Sequence, residues 1–196
     1  MRKSLLTLLA LAAVAVSPLH AQRTAKGERF LLLSGDYMLV NGYGGTAAFG
    51  VYTMNGFWEG AADVTFQGYT IGAEPARSGR YLACAGYMVR LASSRNRSVN
   101  LYGGGGVLMG AGTMSASDMG WTALNESAGT EWFTDQTYFL YGVYPKVEME
   151  AFLSENLAFD IAVRAPLNIF PTTYSALQSV IGLVHCQVSA GFKYNF

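Results

Sequence analysis

The last thirteen residues, Val184 to Phe196, constrain the fold more than any other stretch. Read by parity, Val184, Cys186, Val188, Ala190, Phe192, Tyr194 and Phe196 are apolar, while His185, Gln187, Ser189, Gly191, Lys193 and Asn195 are polar or glycine. A period of two describes a β-strand with one apolar face and one wet face. The strand ends on a phenylalanine with no polar tail behind it. A barrel in an outer membrane accounts for both features, because lipid covers one face and the lumen the other. Phe192, Tyr194 and Phe196 are then expected to act as the C-terminal insertion signal.

Composition narrows the alternatives. The chain has 196 residues, which suits one domain, and its 13% of charged residues is well below the usual share of about 25%. Net charge is zero, so neither nucleic acid nor an acidic surface is implied as a partner. The only stretch resembling a membrane helix lies at the N-terminus. Arg2 and Lys3 precede an apolar run from Leu5 to Val16, Ser17-Pro18 breaks it, and Leu19-His20-Ala21 offers cleavage after Ala21. Residues 1–21 therefore read as a signal peptide and 22–196 as the barrel domain. No cysteine follows the apolar run closely enough for a lipoprotein anchor. Beyond residue 21 no apolar run is long enough to span as a helix, so a membrane form has to be a closed barrel. Eight strands of about ten residues occupy roughly half of the exported length.

The alternation predicts those eight strands in order. The first covers Glu28–Met38 and the second about Gly45–Thr53, with Asn41-Gly42-Tyr43-Gly44 as a turn between them and Met54-Asn55-Gly56 as a tight hairpin after. The third runs from Phe57 to about Tyr69, with Trp58, Ala62, Val64 and Phe66 on one face and Glu59, Asp63, Thr65 and Gln67 on the other. A loop is expected from Ile71 to Ser78. The fourth, Arg80–Leu91, leads through Ser93–Arg97 into the fifth, from Ser98 to about Thr113, whose Gly103–Gly106 run signals close backbone approach or a bend. Met114–Gln136 reads as the longest irregular segment. The sixth strand, Thr137–Leu153, alternates cleanly only from Lys146, and Ser154-Glu155-Asn156 turns into the seventh, Leu157 to about Asn168. Phe170–Ser179 is expected to be a loop before the closing strand.

Turns after strands two, four and six are short, and those after three, five and seven read as longer, while the connection after strand one is short and breaks the rule. That asymmetry separates periplasmic turns from external loops and places both termini in the periplasm. The charges follow the same logic, since a cation facing lipid at mid-bilayer costs about 2–4 kcal/mol. Almost every strand charge falls on the parity opposite the apolar set. Glu59, Asp63, Arg80, Arg90, Lys146, Glu148, Glu150, Asp160, Arg164 and Lys193 are thereby assigned to one lumen. Both signs are present, and an eight-stranded interior is just wide enough for side chains to fill. The expectation is a plugged lumen, not an open pore.

Little in the chain resembles catalytic or cofactor chemistry. His185, the one histidine after residue 21, reads as a polar lumen residue in preference to a general base. Cys84 and Cys186 belong to strands on opposite sides of such a barrel and point in and out, so no disulfide is expected. One histidine and separated cysteines do not make a metal site. Glu148, Glu150 and Asp160 read as salt-bridged lumen filling. Gly103–Gly106 lacks the lysine and hydroxyl residue of a phosphate loop. No enzyme activity, cofactor, metal or small-molecule substrate is expected.

Several stretches resemble a known family. Leu91-Ala92-Ser93-Ser94-Arg95-Asn96-Arg97-Ser98-Val99, Tyr138–Phe159 with its Leu153-Ser154-Glu155-Asn156 turn, Ile161-Ala162-Val163-Arg164 and the closing Ala190–Phe196 are similar to the TraO proteins of conjugative transposons. The resemblance implies an outer-membrane component of a type IV-like conjugal DNA transfer apparatus. Its implied partners are outer-membrane lipid, the barrel-assembly machinery and other transfer proteins, with no direct nucleic-acid contact. The alternative from the residues themselves is a barrel adhesin or receptor acting through its external loops, above all Met114–Gln136.

Overall fold

A computed structural model of the chain describes residues 26–39, 41–71, 74–129, 135–168 and 186–196. The predicted signal peptide, His185 and the Phe170–Ser179 loop lie outside the described residues. Nine antiparallel strand segments form one sheet in the order β5-β4-β3-β2-β1-β9-β7-β6-β8, and β5 also pairs with β6, which closes the cylinder. The segments are β1 (Arg29–Met38), β2 (Gly42–Tyr52), β3 (Gly56–Ile71), β4 (Glu74–Ser93), β5 (Val99–Ala116), β6 (Gln136–Phe152), β7 (Leu157–Arg164), β8 (Leu167–Asn168) and β9 (Gln187–Asn195). Ala165-Pro166 interrupts one stave, and β8 resumes it against β6, so the barrel has eight staves. The fold is an eight-stranded, up-and-down antiparallel barrel. It buries its interior fully and leaves no free edge along the closed part of the wall.

Parity follows the sequence pattern. Leu31, Leu33, Trp58, Val64, Tyr81, Val107, Val147, Val163, Phe192 and Tyr194 face outward and are 37–61% exposed. Bands of outward aromatics sit toward each end, with Trp58 against Tyr87 (4.7 Å) near the short turns and Phe66 against Tyr81 (6.0 Å) toward the other end. Such girdles mark the two membrane interfaces.

Three expectations are corrected. The Asn41–Gly44 turn is shorter than read. Asn41 takes the left-handed conformation itself (φ 39°), and β2 begins at Gly42. Asparagine tolerates that region, and Gly44 is needed in the ladder because a Cβ there would lie 2.3 Å from the Val64 carbonyl oxygen. The expected Ile71–Ser78 loop is strand instead. β3 and β4 pair as far as Ile71 with Glu74. Pro75 fits because β4 meets β5 only from Ala76 onward, so its missing N–H leaves no gap in the ladder on that side. The third correction is Met114–Gln136, which is not irregular. β5 continues to Ala116, and helix α1 spans Asp118–Ala128.

Strand lengths explain where that helix goes. β3, β4, β5 and β6 have 16, 20, 18 and 17 residues, against 10, 11, 8 and 9 in β1, β2, β7 and β9. About nine to eleven tilted residues span a bilayer. Among the described residues the four long neighbours therefore rise past the others at the end remote from the termini. Gly103–Gly106 lies in this wall and meets its neighbours at close range: a Cβ on Gly105 would stand 2.1 Å from the Tyr144 carbonyl oxygen.

Candidate functional site

The interior is layered. Nearest the termini is an aromatic floor of Phe30, Tyr52, Phe57, Met88 and Tyr102, all buried. Phe30 meets Phe57 edge-on at 5.2 Å, and Phe57 meets Tyr102 at 4.9 Å. Such tilted pairs add roughly 0.5–1.5 kcal/mol each beyond area burial.

Above the floor lies the ionic layer. The Lys193 ammonium sits 4.5 Å from the centres of both the Phe30 and Phe57 rings. It pairs with Glu148 and lies 3.4 Å from carboxylate oxygens of Glu150 and Asp160. Lys146 donates to Glu59 and reaches Glu148, both at 2.7 Å. The register explains the convergence. β6 and β7 set Glu150 directly opposite Asp160, and β9 inserts Lys193 one strand further on. Two like charges across a ladder repel, and the lysine between them offsets that. Glu150 also accepts hydrogen bonds from the Tyr52 hydroxyl, the Tyr102 hydroxyl (3.1 Å) and the Asn100 amide (3.4 Å). A second group surrounds Arg164, which pairs with Asp63. Gln187 donates to the same carboxylate at 2.9 Å, and the Thr46 hydroxyl lies between Asp63 and Asp36.

Of the ten predicted lumen residues, Glu59, Asp63, Lys146, Glu148, Glu150, Asp160, Arg164 and Lys193 are drawn into these two groups. All eight are buried. Arg80 is buried too, its guanidinium on the Thr65 hydroxyl (3.2 Å) and the Met38 sulfur (3.5 Å). Arg90 is half-buried at the other end, over the Tyr102 ring. Phe192, Tyr194 and Phe196 face outward.

The sequence reading left out Asp36 and the uncharged partners Gln187, Tyr52 and Tyr102. Asp36 and Gln187 already carried the inward parity. Tyr52 and Tyr102 were hidden because an aromatic residue in such a strand suits the lipid face, and only the strand register turns them inward.

The third layer is an apolar cluster, with Thr65, Gln67, Ser78 and Arg80 buried on the β3 and β4 side of the same wall, and closes the opposite end. Leu82, Cys84, Leu108, Met114, Tyr138, Leu140 and Tyr144 line the long wall, and Trp121 and Leu124 of α1 pack down onto them. Gly86 leaves the space that the Tyr144 hydroxyl occupies, since a Cβ there would sit 2.6 Å from it. Local chemistry builds the helix. Ser117 caps its N-terminus, accepting from the Gly120 amide at 3.1 Å, and Asp118 complements the dipole. Gly129 ends it in the left-handed region at φ 65°. Two tethers dock it. The Ser117 hydroxyl donates to Glu74 at 2.9 Å, and the Trp121 indole donates to Asp135 at 2.6 Å. Asp135 also accepts from the Ala116 amide (3.0 Å) and the Ser115 hydroxyl (2.9 Å). Burial opposes its charge, but the three donors outweigh that and hold its carboxyl below the usual carboxylate range.

The lumen charges are therefore committed to one another and to hydroxyl and amide partners. Among the described residues no group of three histidine, cysteine, aspartate or glutamate side chains is placed to hold a metal ion. The arrangement is suited to filling and stiffening a cylinder.

Comparison with known proteins agrees with this geometry. A major outer membrane protein from Thermus thermophilus is similar over 86% of this chain and 99% of its own, at 11% identity and TM-score 0.55. Ail, the attachment invasion locus protein of Yersinia pestis, is similar over 88% of this chain and 100% of its own, at 13% identity and TM-score 0.51. These likenesses show the outer-membrane barrel fold. No curated protein matches by sequence. The family described as conjugative transposon protein TraO matches residues 31–196, nearly the whole chain. The chain belongs to the TraO family of conjugative transposon proteins.

Proposed function

We propose that this protein is a non-enzymatic outer-membrane component of the conjugative DNA transfer apparatus. It is inserted by the barrel-assembly machinery, with both termini in the periplasm and α1 outside the cell. The observation that carries the reading is the combination of TraO membership with a filled interior. A cylinder packed with its own side chains serves as a fixed platform. What it offers to partners is its two ends: the short turns on one side, the α1 cap and long wall on the other. Deleting the gene from its transposon is expected to abolish or sharply reduce transfer between cells, with restoration by the intact gene. Unchanged transfer frequency would contradict the reading.

A second reading is favoured by one feature of α1. Its outer face presents Met119, 68% exposed, at the end proposed to be external. An adhesin or receptor would use such a surface to touch another cell. Replacing residues 117–135 by a short turn separates the two. Loss of cell contact with an assembled barrel supports the adhesin, and transfer that survives the replacement places the apparatus contact elsewhere on the barrel.

A further inference from the structure

Two charged side chains break the parity rule that governs every other described strand. Arg29 of β1 and Arg77 of β4 point outward, while all other strand charges carry the inward parity. Arg29 lies beside the terminal strand end, where Arg29 and Phe196 bond to one another. Arg77 is different. It stands on the rim of the long wall and lines a cleft of about 440 Å³ with Tyr43, Phe66, Gly68, Thr113 and Ser115.

The cleft has a defined height and a defined chemistry. Phe66 pairs with Gly79, and Gly68 with Arg77, so Arg77 lies two residues beyond the girdle aromatics. Two residues of strand rise about 7 Å, the step from an aromatic girdle into the head-group layer. Tyr43 and Phe66 pack at 6.1 Å and form an apolar wall. The Gly79 surface between Phe66 and Thr113 stays low, since a Cβ there would meet the Thr113 hydroxyl at 2.8 Å. The Thr113 hydroxyl is the polar group of the opposite wall. Asp135 does not demand the arginine, because three donors from Ser115, Ala116 and Trp121 already hold its carboxylate. Among the described residues Arg77 has no ion-pair partner.

An arginine, an aromatic wall and a hydroxyl lining one cleft match a phosphate on a sugar. The guanidinium takes phosphate oxygens in pairs, and the rings cover the sugar's apolar face. We infer that this cleft binds a phosphate-bearing sugar, the chemistry that heads an outer-leaflet glycolipid, with Arg77 on the phosphate. The inference rests on the external placement of the α1 end proposed above.

The test uses the mature full-length protein in detergent, with folding checked by heat-dependent gel mobility. Native mass spectrometry reads the fraction carrying a bis-phosphorylated, acylated glucosamine disaccharide. Arg77→Gln is expected to weaken binding about tenfold, as loss of a charge-assisted pair does. Gly68→Leu should do the same by filling the cleft, since a Cβ at Gly68 meets nothing within 4 Å. Arg29→Gln, which removes the other outward charge, should leave binding within about twofold. Removing both phosphates from the glycolipid should match the Arg77→Gln loss.

Equal binding by the Arg77→Gln and Arg29→Gln proteins, or equal binding of the dephosphorylated lipid, would overturn the site. Glucosamine 6-phosphate separates the sources. Displacement of the lipid at comparable concentration assigns the cleft to free phosphosugars, and failure to displace assigns it to the lipid. Orientation is tested apart, by labelling Met119→Cys on intact cells with a membrane-impermeant maleimide. No labelling would overturn the external placement, and binding in detergent would still judge the cleft.

Discussion

At the end of the barrel that holds Asn55 and Ser154, the interior is filled by charge over a floor of rings. At the other end it is filled by a helix borrowed from the connection between β5 and β6. The first filling comes from the strands themselves and depends on register: Lys193 serves Glu148, Glu150 and Asp160 only because β9 lies beside β7 at one fixed offset. The second depends on length. Four strands outgrow their neighbours, their upper wall is apolar, and Trp121 and Leu124 cover it. Buried ion groups are weak evidence of net stability, because desolvation offsets much of the attraction. Their strength is in what they forbid. A one-residue slip of β9 would turn Lys193 into lipid, take the cation from Glu150 and Asp160, and leave Glu148 with Lys146 alone.

The largest effect that would sharpen this contrast is expected at Lys193. Lys193→Met strands Glu150 and Asp160 in the lumen and leaves Glu148 to Lys146, so unfolding in denaturant should lose about 3–5 kcal/mol. Loss of less than about 1 kcal/mol would mean the ionic layer does not fix the register. Trp121→Ala should act on the cap alone. Deleting a buried tryptophan costs about 3–5 kcal/mol in a closed core, and a cap can open instead of unfolding. Hydrogen exchange across α1 should therefore accelerate while barrel unfolding shifts by less than about 1 kcal/mol. A smaller effect is expected from pH. The Asp135 carboxyl is held below its ordinary value of 3.8, so its support of the cap is complete above that value. That support is lost as pH falls further, through the folded-state value. Protease cleavage within α1 should rise on acidification below about pH 4, and Asp135→Asn should cleave at the acid rate at neutral pH. The barrel strands should stay protected in both.

The ionic groups were legible because the stretches that carry them alternate cleanly. Lys146, Glu148 and Glu150 on β6, and Lys193 on β9, sit among outward apolar neighbours, and a period of two is enough to place them. The capped half was not legible for the same reason inverted. Tyr138, Leu140 and Tyr144 face a lumen lined by hydrocarbon, so both faces of upper β6 are apolar and no alternation survives. The helix itself was hidden by composition. Asp118–Ala128 has two acids and no base, with Gly120, Thr122 and Asn125 inside it, so its own pattern reads as a loop. Ser117 and Gly129 cap it, but packing of Trp121 and Leu124 against the long wall decides the outcome. The β3–β4 hairpin was misread because Pro75 and Gly79 are ordinary loop signals. β4 outruns β5 at Pro75, and Gly79, paired on both sides, leaves room for the Thr113 hydroxyl.

The central claim is a cylinder with hydrocarbon outside and charge within, and one spectroscopic measurement tests it. A spin label is placed at Ala83, outward on β4 among Tyr81 and Ala85, in a chain whose Cys84 and Cys186 are replaced by alanine. In bilayers the label should be relaxed strongly by oxygen and shielded from a water-soluble nickel chelate. Strong relaxation by the chelate, with oxygen contact no greater than in water, would place Ala83 in solvent and contradict the barrel's position in the membrane.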